Sequence, residues 1–374
     1  MSSPDNPIIS IIMPSYNHEQ FIGDAVASIL SQTFQEFELL IVDDGSADGS
    51  AKVVAGFKDP RIRSTMLGEN RGACEAMNIG LHMSRGKYIA VCNSDDVWRP
   101  EKLSTQLEFL GKNDGIGAVF SGVDWIGDDG APLSTLRLAF SGNVFKQQNR
   151  SRWRWLRDLI ETGNCLCHPS ILIRRELYDQ AGDYDNRLRQ IPDLDMWLRV
   201  LQRTDIFVLP DALVGFRIHG GNVSKPNPQT SRRAINEHRL IVRRLFSEIS
   251  KEDFVRAFGQ QAPSIDDDVD LKIEKALYLL SHRGVYEGIF KELGLDYMFD
   301  LLTESEGRLR LKEKYGSDTA TFHREMGGYS PWIVSADAVP DTSAGKLLAS
   351  VPAKELLRVF LQRVKHRVLG FNRR

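Results

Sequence analysis

Tyr88-Ile-Ala-Val-Cys-Asn-Ser-Asp-Asp-Val-Trp98 changes character halfway along: an apolar run, Tyr88 to Val91, gives way to the adjacent carboxylates Asp95 and Asp96. An unbroken apolar run of this length suits a strand buried on both faces of a parallel sheet. Residues just past the carboxyl end of such a strand lie where open α/β sheets bind their ligands. Two neighbouring carboxylates repel unless a proton or a cation lies between them, and a hard divalent ion with oxygen ligands is the economical partner. A solvated turn capping a helix that begins near Pro100 accounts for the same residues, so the rest of the chain has to choose.

Upstream the same pattern recurs. Ile8-Ile-Ser-Ile-Ile-Met13 reads as a buried strand ending in Pro14-Ser-Tyr-Asn17, and Phe21, Ala25, Ile29 and Leu30 follow at helical spacing. Phe37-Glu-Leu-Leu-Ile-Val42 is a second strand, ending in Asp43-Asp-Gly-Ser46, with helical character from near Ser50. A weaker strand, Arg63 to Leu67, runs into Gly68-Glu-Asn-Arg-Gly72, and a helix carrying Ala76, Ile79, Gly80 and Met83 leads to Tyr88. Strand, polar turn and helix in alternation predict an α/β domain: a mostly parallel, Rossmann-like sheet with helices on both faces and strand ends converging on one crevice. Those ends offer a tyrosine to stack on a base, acids to accept from a base or ribose, and glycines that let backbone approach phosphate. No Gly-x-Gly-x-x-Gly follows the first strand and no Gly-Lys-Ser/Thr loop occurs, which argues against a dinucleotide oxidoreductase and a P-loop enzyme. A nucleotide held by acids and a metal is left.

Composition narrows the class. A chain of 374 residues exceeds one ordinary core, and 42% hydrophobic with 26% charged residues describes a globular protein. A net charge of -2 gives no reason to expect a nucleic-acid partner. Cys165-Leu-Cys167 has the wrong spacing for a zinc knuckle, and with Cys74 and Cys92 it reads as buried or incidental thiols of a reducing compartment. Neither a leader nor a continuous apolar span of roughly 18 residues is recognised, so the expected location is the cytoplasm.

Four segments now act together. Ile12-Met-Pro-Ser-Tyr-Asn17, Leu40-Ile-Val-Asp-Asp-Gly-Ser46, Glu69-Asn-Arg-Gly72 with Asn78-Ile-Gly80, and Asn93-Ser-Asp-Asp-Val-Trp98 stand in the order and spacing of glycosyltransferase family 2, whose catalytic domain has the GT-A fold. The resemblance implies an inverting transfer from a nucleoside diphosphate sugar, usually UDP-linked, with Mn2+ or Mg2+ as cofactor. It places Pro14, Tyr16 and Asn17 around the base, Asp44 on the base or ribose, and Asn78 among the donor contacts. Asp96 is then the metal ligand bridging the diphosphate, with Asp95 near the ribose, metal or sugar. Asn93 stands where the motif often has its first acid, and Met77 where an arginine is common.

Further on, Ala118 to Ser121, Val123 to Trp125 and the Gly127-Asp-Asp-Gly130 turn predict a strand pair, and Trp153 to Ile160 a helix. Asn164 to Ile173 reads as a loop entering a strand, where His168 is taken as structural rather than as a sugar contact. Pro192-Asp-Leu-Asp-Met-Trp-Leu-Arg199 starts a helix with Pro192 at its first position. The resemblance makes Asp193 the base toward the acceptor hydroxyl, with Pro192 in place of the family's glutamate and Asp195 structural. In Val214-Gly-Phe-Arg-Ile-His-Gly-Gly-Asn-Val-Ser224, similarity to the family's Arg-x-His-x-x-Asn-x-Ser makes His219 a metal or diphosphate ligand, with Arg217 and Ser224 as weaker phosphate contacts.

The motifs end there, giving an expected catalytic domain at 1–224 and a mainly helical region of unknown role at 225–374, hinged at Lys225-Pro-Asn-Pro228. A final segment, Ala353 to Leu369, pairs an apolar stripe with basic residues, which suits either an anionic membrane surface or a docked helix. The expected acceptor is a saccharide or lipid-linked hydroxyl in polysaccharide biosynthesis at the cell surface, with a peripheral contact at the inner membrane face as one extension. A non-catalytic nucleotide-sugar binding module and a nucleotidyltransferase are the alternatives. The latter lacks its expected Gly-rich basic loop in Pro14-Ser-Tyr-Asn17.

Overall fold

The computed structural model describes residues 6–133, 144–222, 227–259 and 265–329. Ser224, the start of the expected hinge and the basic segment at 353–369 lie outside them.

The β-branched runs do become the buried middle of a sheet. Strands β1 (Ile9–Ser15), β2 (Phe37–Asp43), β3 (Ile62–Met66) and β4 (Tyr88–Val91) are parallel in the order β3-β2-β1-β4. Every residue of β2 and β4 is buried, whereas edge strand β3 is partly exposed, which matches its weaker pattern. Helices α1 (Ile22–Leu30), α2 (Ser50–Gly56) and α3 (Ala73–Met83) make the crossovers. In α1 the apolar residues Ile22, Ala25, Val26 and Ile29 recur on one face and are buried against the sheet.

Beyond β4 the sheet becomes mixed. Strand β4 pairs antiparallel with β7 (Leu172–Arg174), which pairs antiparallel with β6 (Ile116–Ile126). Parallel to β6 runs β8 (Asp205–Arg217), and the two-residue β5 (Val97–Trp98) closes the far edge antiparallel to β8. The expected strand pair between Ala118 and Trp125 is instead one strand, β6. Register shifts on either side of Gly122 fall between the two expected strands. The turn after it is present: Gly127 N–H donates to Ala131 O at 2.9 Å. Helices α4 (Lys102–Lys112), α5 (Arg152–Thr162), α6 (Arg175–Ala181) and α7 (Pro192–Leu201) cover the sheet, and α7 begins with Pro192 as expected.

Helix α8 (Pro228–Glu248) starts with a reciprocal cap between Asn227 and Thr230. Its face of Ile241, Val242, Leu245 and Phe246 enters the same core as Trp155 and Leu159 of α5 and Trp197 and Val200 of α7. Helices α9 (Lys251–Phe258), α10 (Asp268–Ser281), α11 (Glu287–Thr303), α12 (Ser305–Tyr315) and α13 (Thr319–Gly327) follow. A smaller cluster around Ile273, Leu280, Met298 and Leu311 holds α10 to α12 together. The motifs stop near residue 224, but the core does not: Phe254 and Phe290 belong to the cluster that contains Ile12 and Val91.

Candidate active site

The crevice is assembled from loops that latch one another. Beyond β1, Asn17 has φ 53°, the left-handed region that asparagine tolerates better than most residues. Its N–H donates to Ser46 Oγ at 2.8 Å, and its Oδ1 accepts from Ala47 N–H at 2.8 Å. Asp43 in turn holds Ser46 by its N–H and its hydroxyl, at 2.8 and 2.7 Å. Buried Asp44 accepts from Arg71 N–H at 2.6 Å and Gly72 N–H at 2.8 Å, tying the third loop to the second. Gly45, at φ +72°, leaves no room for a side chain, since a Cβ would lie 2.6 Å from the Glu69 carbonyl carbon. Tyr16 stands 44% exposed beside partly exposed Pro14, an aromatic face open to a ligand. Pro14, Tyr16, Asn17 and Asp44 thus occupy neighbouring strand ends, with Asn17 and Asp44 acting first as fasteners.

The two carboxylates that opened the sequence reading point in different directions. Asp95 Oδ2 accepts from His219 Nε2 at 3.0 Å and from Asn222 Nδ2 at 3.3 Å. His18, Asp95 and His219 can each bring one ligand atom within 4.8 Å of the others. His18 Nδ1 is 2.7 Å from Ser94 Oγ, and burial lowers the His18 pKa, favouring the neutral, ligating imidazole. Phe21 packs against the His219 ring at 4.6 Å.

Asp96, expected to join His219 at a metal, is turned inward. It is 1% exposed, Oδ1 accepts from Arg217 N–H at 2.9 Å, and Oδ2 accepts from Asn93 Nδ2 at 3.1 Å. Burial, then the neighbouring Asp95 charge, pushes its pKa well up. An amide at Asn93 therefore suits the place, because an acid there would put a third charge against a carboxyl already hard to ionise.

Arg217, expected as a weaker phosphate contact, is turned inward as well. Its guanidinium is buried and donates to Asp95 O at 2.8 Å, Gly127 O at 3.0 Å, Asp128 O at 2.8 Å and Asp24 Oδ2 at 3.3 Å. It fixes the turn that carries Asp95. Asn222 completes the support, accepting from His219 N–H at 2.6 Å.

Asn78 is spent in the same manner. Its side chain, expected among the donor contacts, exchanges hydrogen bonds with Tyr184, Nδ2 to O at 2.9 Å and Tyr184 N–H to Oδ1 at 2.8 Å, and so clasps α3 to the loop before α7. Met77 is buried in the core. His168 Nε2 lies 2.9 Å from the Tyr184 hydroxyl, and burial holds its pKa down at about 4, in keeping with a structural role.

Asp193 sits at the start of α7, half-buried, with Oδ2 accepting from Asn164 Nδ2 at 2.6 Å and Oδ1 from Leu194 N–H at 2.9 Å. Burial raises its pKa to about 6 against those hydrogen bonds, and the Glu237 charge adds to the rise. A carboxyl poised there can exchange protons near neutrality. Asp195 points elsewhere: it pairs with Arg199 at 2.9 Å and with Arg244 of α8, as a structural residue.

Sequence reasoning missed His18, Asn164 and Glu237. His18 directly follows a quoted motif, and its place one residue beyond Asn17 is the signal that was available. Asn164 and Glu237 carry no such signal.

Comparison with known proteins identifies the family and the fold. The profile of glycosyl transferase family 2 matches residues 10–180. TuaG of Bacillus subtilis, named for teichuronic acid biosynthesis, is 31% identical over 240 residues, 63% of this chain and 89% of that protein. An uncharacterized glycosyltransferase of Rickettsia prowazekii, RP339, is 25% identical over 280 residues, 74% of this chain and 83% of its own. Among solved structures, S. aureus TarS 1-349 in complex with UDP superposes with a TM-score of 0.53 at 16% identity, covering 83% of this chain and 92% of that one. The same fragment with UDP-GlcNAc gives 0.52 at 17% identity, covering 86% and 93%. The mixed, mostly parallel sheet with flanking helices is thus a GT-A fold, and the chain belongs to glycosyl transferase family 2 as a glycosyltransferase.

Proposed function

We propose that this enzyme moves a sugar, with inversion, from a UDP-linked donor to a hydroxyl of a saccharide or lipid-linked acceptor in cell-surface polysaccharide assembly. The observation that carries the reading is the convergence of His18, Asp95 and His219 at the strand ends beside exposed Tyr16. Two imidazoles and a carboxylate suit Mn2+, and less closely Mg2+, which prefers oxygen alone. Metal ligation through His219 Nε2 requires the ring proton on Nδ1, which displaces the 3.1 Å contact from Gly221 N–H. The glycine pair Gly220-Gly221 gives the loop that freedom. The TarS complexes with UDP and UDP-GlcNAc direct the donor choice toward uridine nucleotides.

In this mechanism Asp193 accepts the acceptor hydroxyl proton. The freed oxygen attacks the anomeric carbon on the face opposite the diphosphate, and the breaking carbon–oxygen bond leaves its electron pair on the nucleoside diphosphate. A divalent cation, when bound, would offset that developing charge. Asp44 and Tyr16 would hold the nucleoside, and Asp95 with the two histidines would hold the cation. Among the described residues no helix is long and apolar enough to cross a membrane.

The test is thermal stabilisation by a panel of nucleoside diphosphate sugars with Mn2+, Mg2+ or chelator, since a ligand of the folded state raises its apparent stability. One uridine donor should stabilise in a metal-dependent manner, and Asp95→Ala should abolish the response. No response to any donor overturns the reading.

A further inference from the structure

The N-cap residue of helix α7 supplies no cap. Ile191 at its N-cap offers no side-chain acceptor, and Pro192 has no N–H to give. The amides just before it are met from elsewhere: the Glu237 carboxylate, on α8, accepts from Arg189 N–H at 3.0 Å, Gln190 N–H at 2.8 Å and Ile191 N–H at 3.0 Å. Glu237 is itself buried, a position a carboxylate holds only when hydrogen-bonded.

Its helix is fixed independently. His238 Nε2 lies 2.7 Å from Ile160 O, the apolar face of α8 is in the main core, and Arg244 pairs with both Asp195 and Asp185. The loop Glu237 grips is short and anchored upstream by the Asn78–Tyr184 clasp. Only Pro192 separates the gripped amides from Asp193, so their direction sets that of the Asp193 side chain.

We propose that Glu237 is a positioning residue for Asp193, which makes the region after the motifs a working part of the active site. The proposal rests on the reading of Asp193 as the base. Glu237→Gln keeps the length of the side chain but leaves one accepting oxygen for three amides and turns an NH2 group on the others. A misplacement of that kind far from the reacting bond is enough to lose up to roughly 100-fold in rate.

The experiment compares full-length wild type, Glu237→Gln, Glu237→Asp, Asp193→Asn and Arg239→Met for hydrolysis of UDP-GlcNAc with Mn2+ and, where an acceptor is in hand, for transfer. Amide hydrogen exchange over residues 189–193 is measured in parallel. Arg239 joins α8 to Glu292 of α11 at 3.4 Å, away from the loop, so Arg239→Met loosens the helix without touching the grip. Glu237→Gln should lower kcat roughly 10- to 100-fold with donor KM unchanged and speed exchange at 189–191. Glu237→Asp, which keeps the charge, should recover part of the loss, and Arg239→Met should keep wild-type kcat. Wild-type kcat in Glu237→Gln beside an inactive Asp193→Asn overturns the positioning role alone. Full activity in Asp193→Asn overturns the assignment of the base. Unchanged exchange at 189–191 in Glu237→Gln overturns the grip whether or not any turnover is seen.

Discussion

The proposed donor side and the proposed base side of this crevice are built by different means. On the donor side, residues adjacent in sequence do opposite jobs: Asp95 faces His219 while Asp96 goes into the core, His18 faces Asp95 while Asn17 latches Ser46. On the base side one residue, Asp193, is held by partners far along the chain, Asn164 directly and Glu237 through the backbone. Motif spacing locates a strand end, but in the turns beyond it neighbouring side chains face different partners. A local motif therefore names the right turn and leaves the direction of each side chain open.

The sharpest way to break that contrast is the acid pair itself. Asp95→Asn should abolish Mn2+ binding measured by titration, an effect larger than the roughly 10- to 100-fold seen when a metal site loses a supporting hydrogen bond. Asp96→Asn should keep Mn2+ affinity within that range, because an amide fits a buried site where ionisation is already opposed. Loss of metal binding in Asp96→Asn with Asp95→Asn unaffected would return the ligand to Asp96 and erase the distinction between the two residues.

On the base side the expected effect is set by pH. Asp193 must be ionised to accept a proton, so kcat should fall roughly ten-fold per unit below its pKa of about 6. Cys74, Tyr184 and Glu237 are titratable groups whose charge interacts with it; burial pushes the Cys74 and Tyr184 values upward, and Glu237 is an anionic neighbour. Stability runs the opposite way. The folded pKa of about 6 lies above the ordinary aspartate value of 3.8, so the protonated form is favoured by folding. That contribution is complete below the unfolded value and is lost as pH rises through about 6. Relative to wild type, Asp193→Asn should therefore gain up to about 3 kcal/mol between pH 4 and pH 7.5 in denaturant titrations. A pH-independent difference would show that Asp193 is not held in a desolvated place.

What the sequence made legible follows the same division. Buried strands with pure apolar runs, such as Phe37 to Val42, and the proline-led start of α7 could be read because local chemistry dictates them. The crevice and its family were legible because four motifs fall on successive strand ends. The inward turn of Asp96, Arg217 and Asn78 was not, since each is decided by a partner that folding brings in: Arg217 N–H for Asp96, the Gly127 and Asp128 carbonyls for Arg217, Tyr184 for Asn78. The grip of Glu237 was hidden for the same reason, 46 positions from the nearest amide it holds. The unity of the core across residue 224 was hidden too, because the apolar face of α8 does not announce which surface it will cover.

The smallest expected effect tests whether the two sides are mechanically joined. Asn78 lies on α3, which begins just after Gly72, the amide that Asp44 holds, and it clasps Tyr184 in the loop leading to Asp193. Asn78→Ala leaves the Tyr184 N–H and C=O without partners in a buried place, which should destabilise the fold by about 1–3 kcal/mol. If the clasp carries only stability, kcat measured on the folded fraction stays at the wild-type value. If it also aligns the loop, kcat falls severalfold with donor KM unchanged, the same signature in miniature as Glu237→Gln. A rise in donor KM without change in kcat would instead put Asn78 back among the donor contacts, and with it the simpler picture in which every motif residue on the donor side touches the ligand.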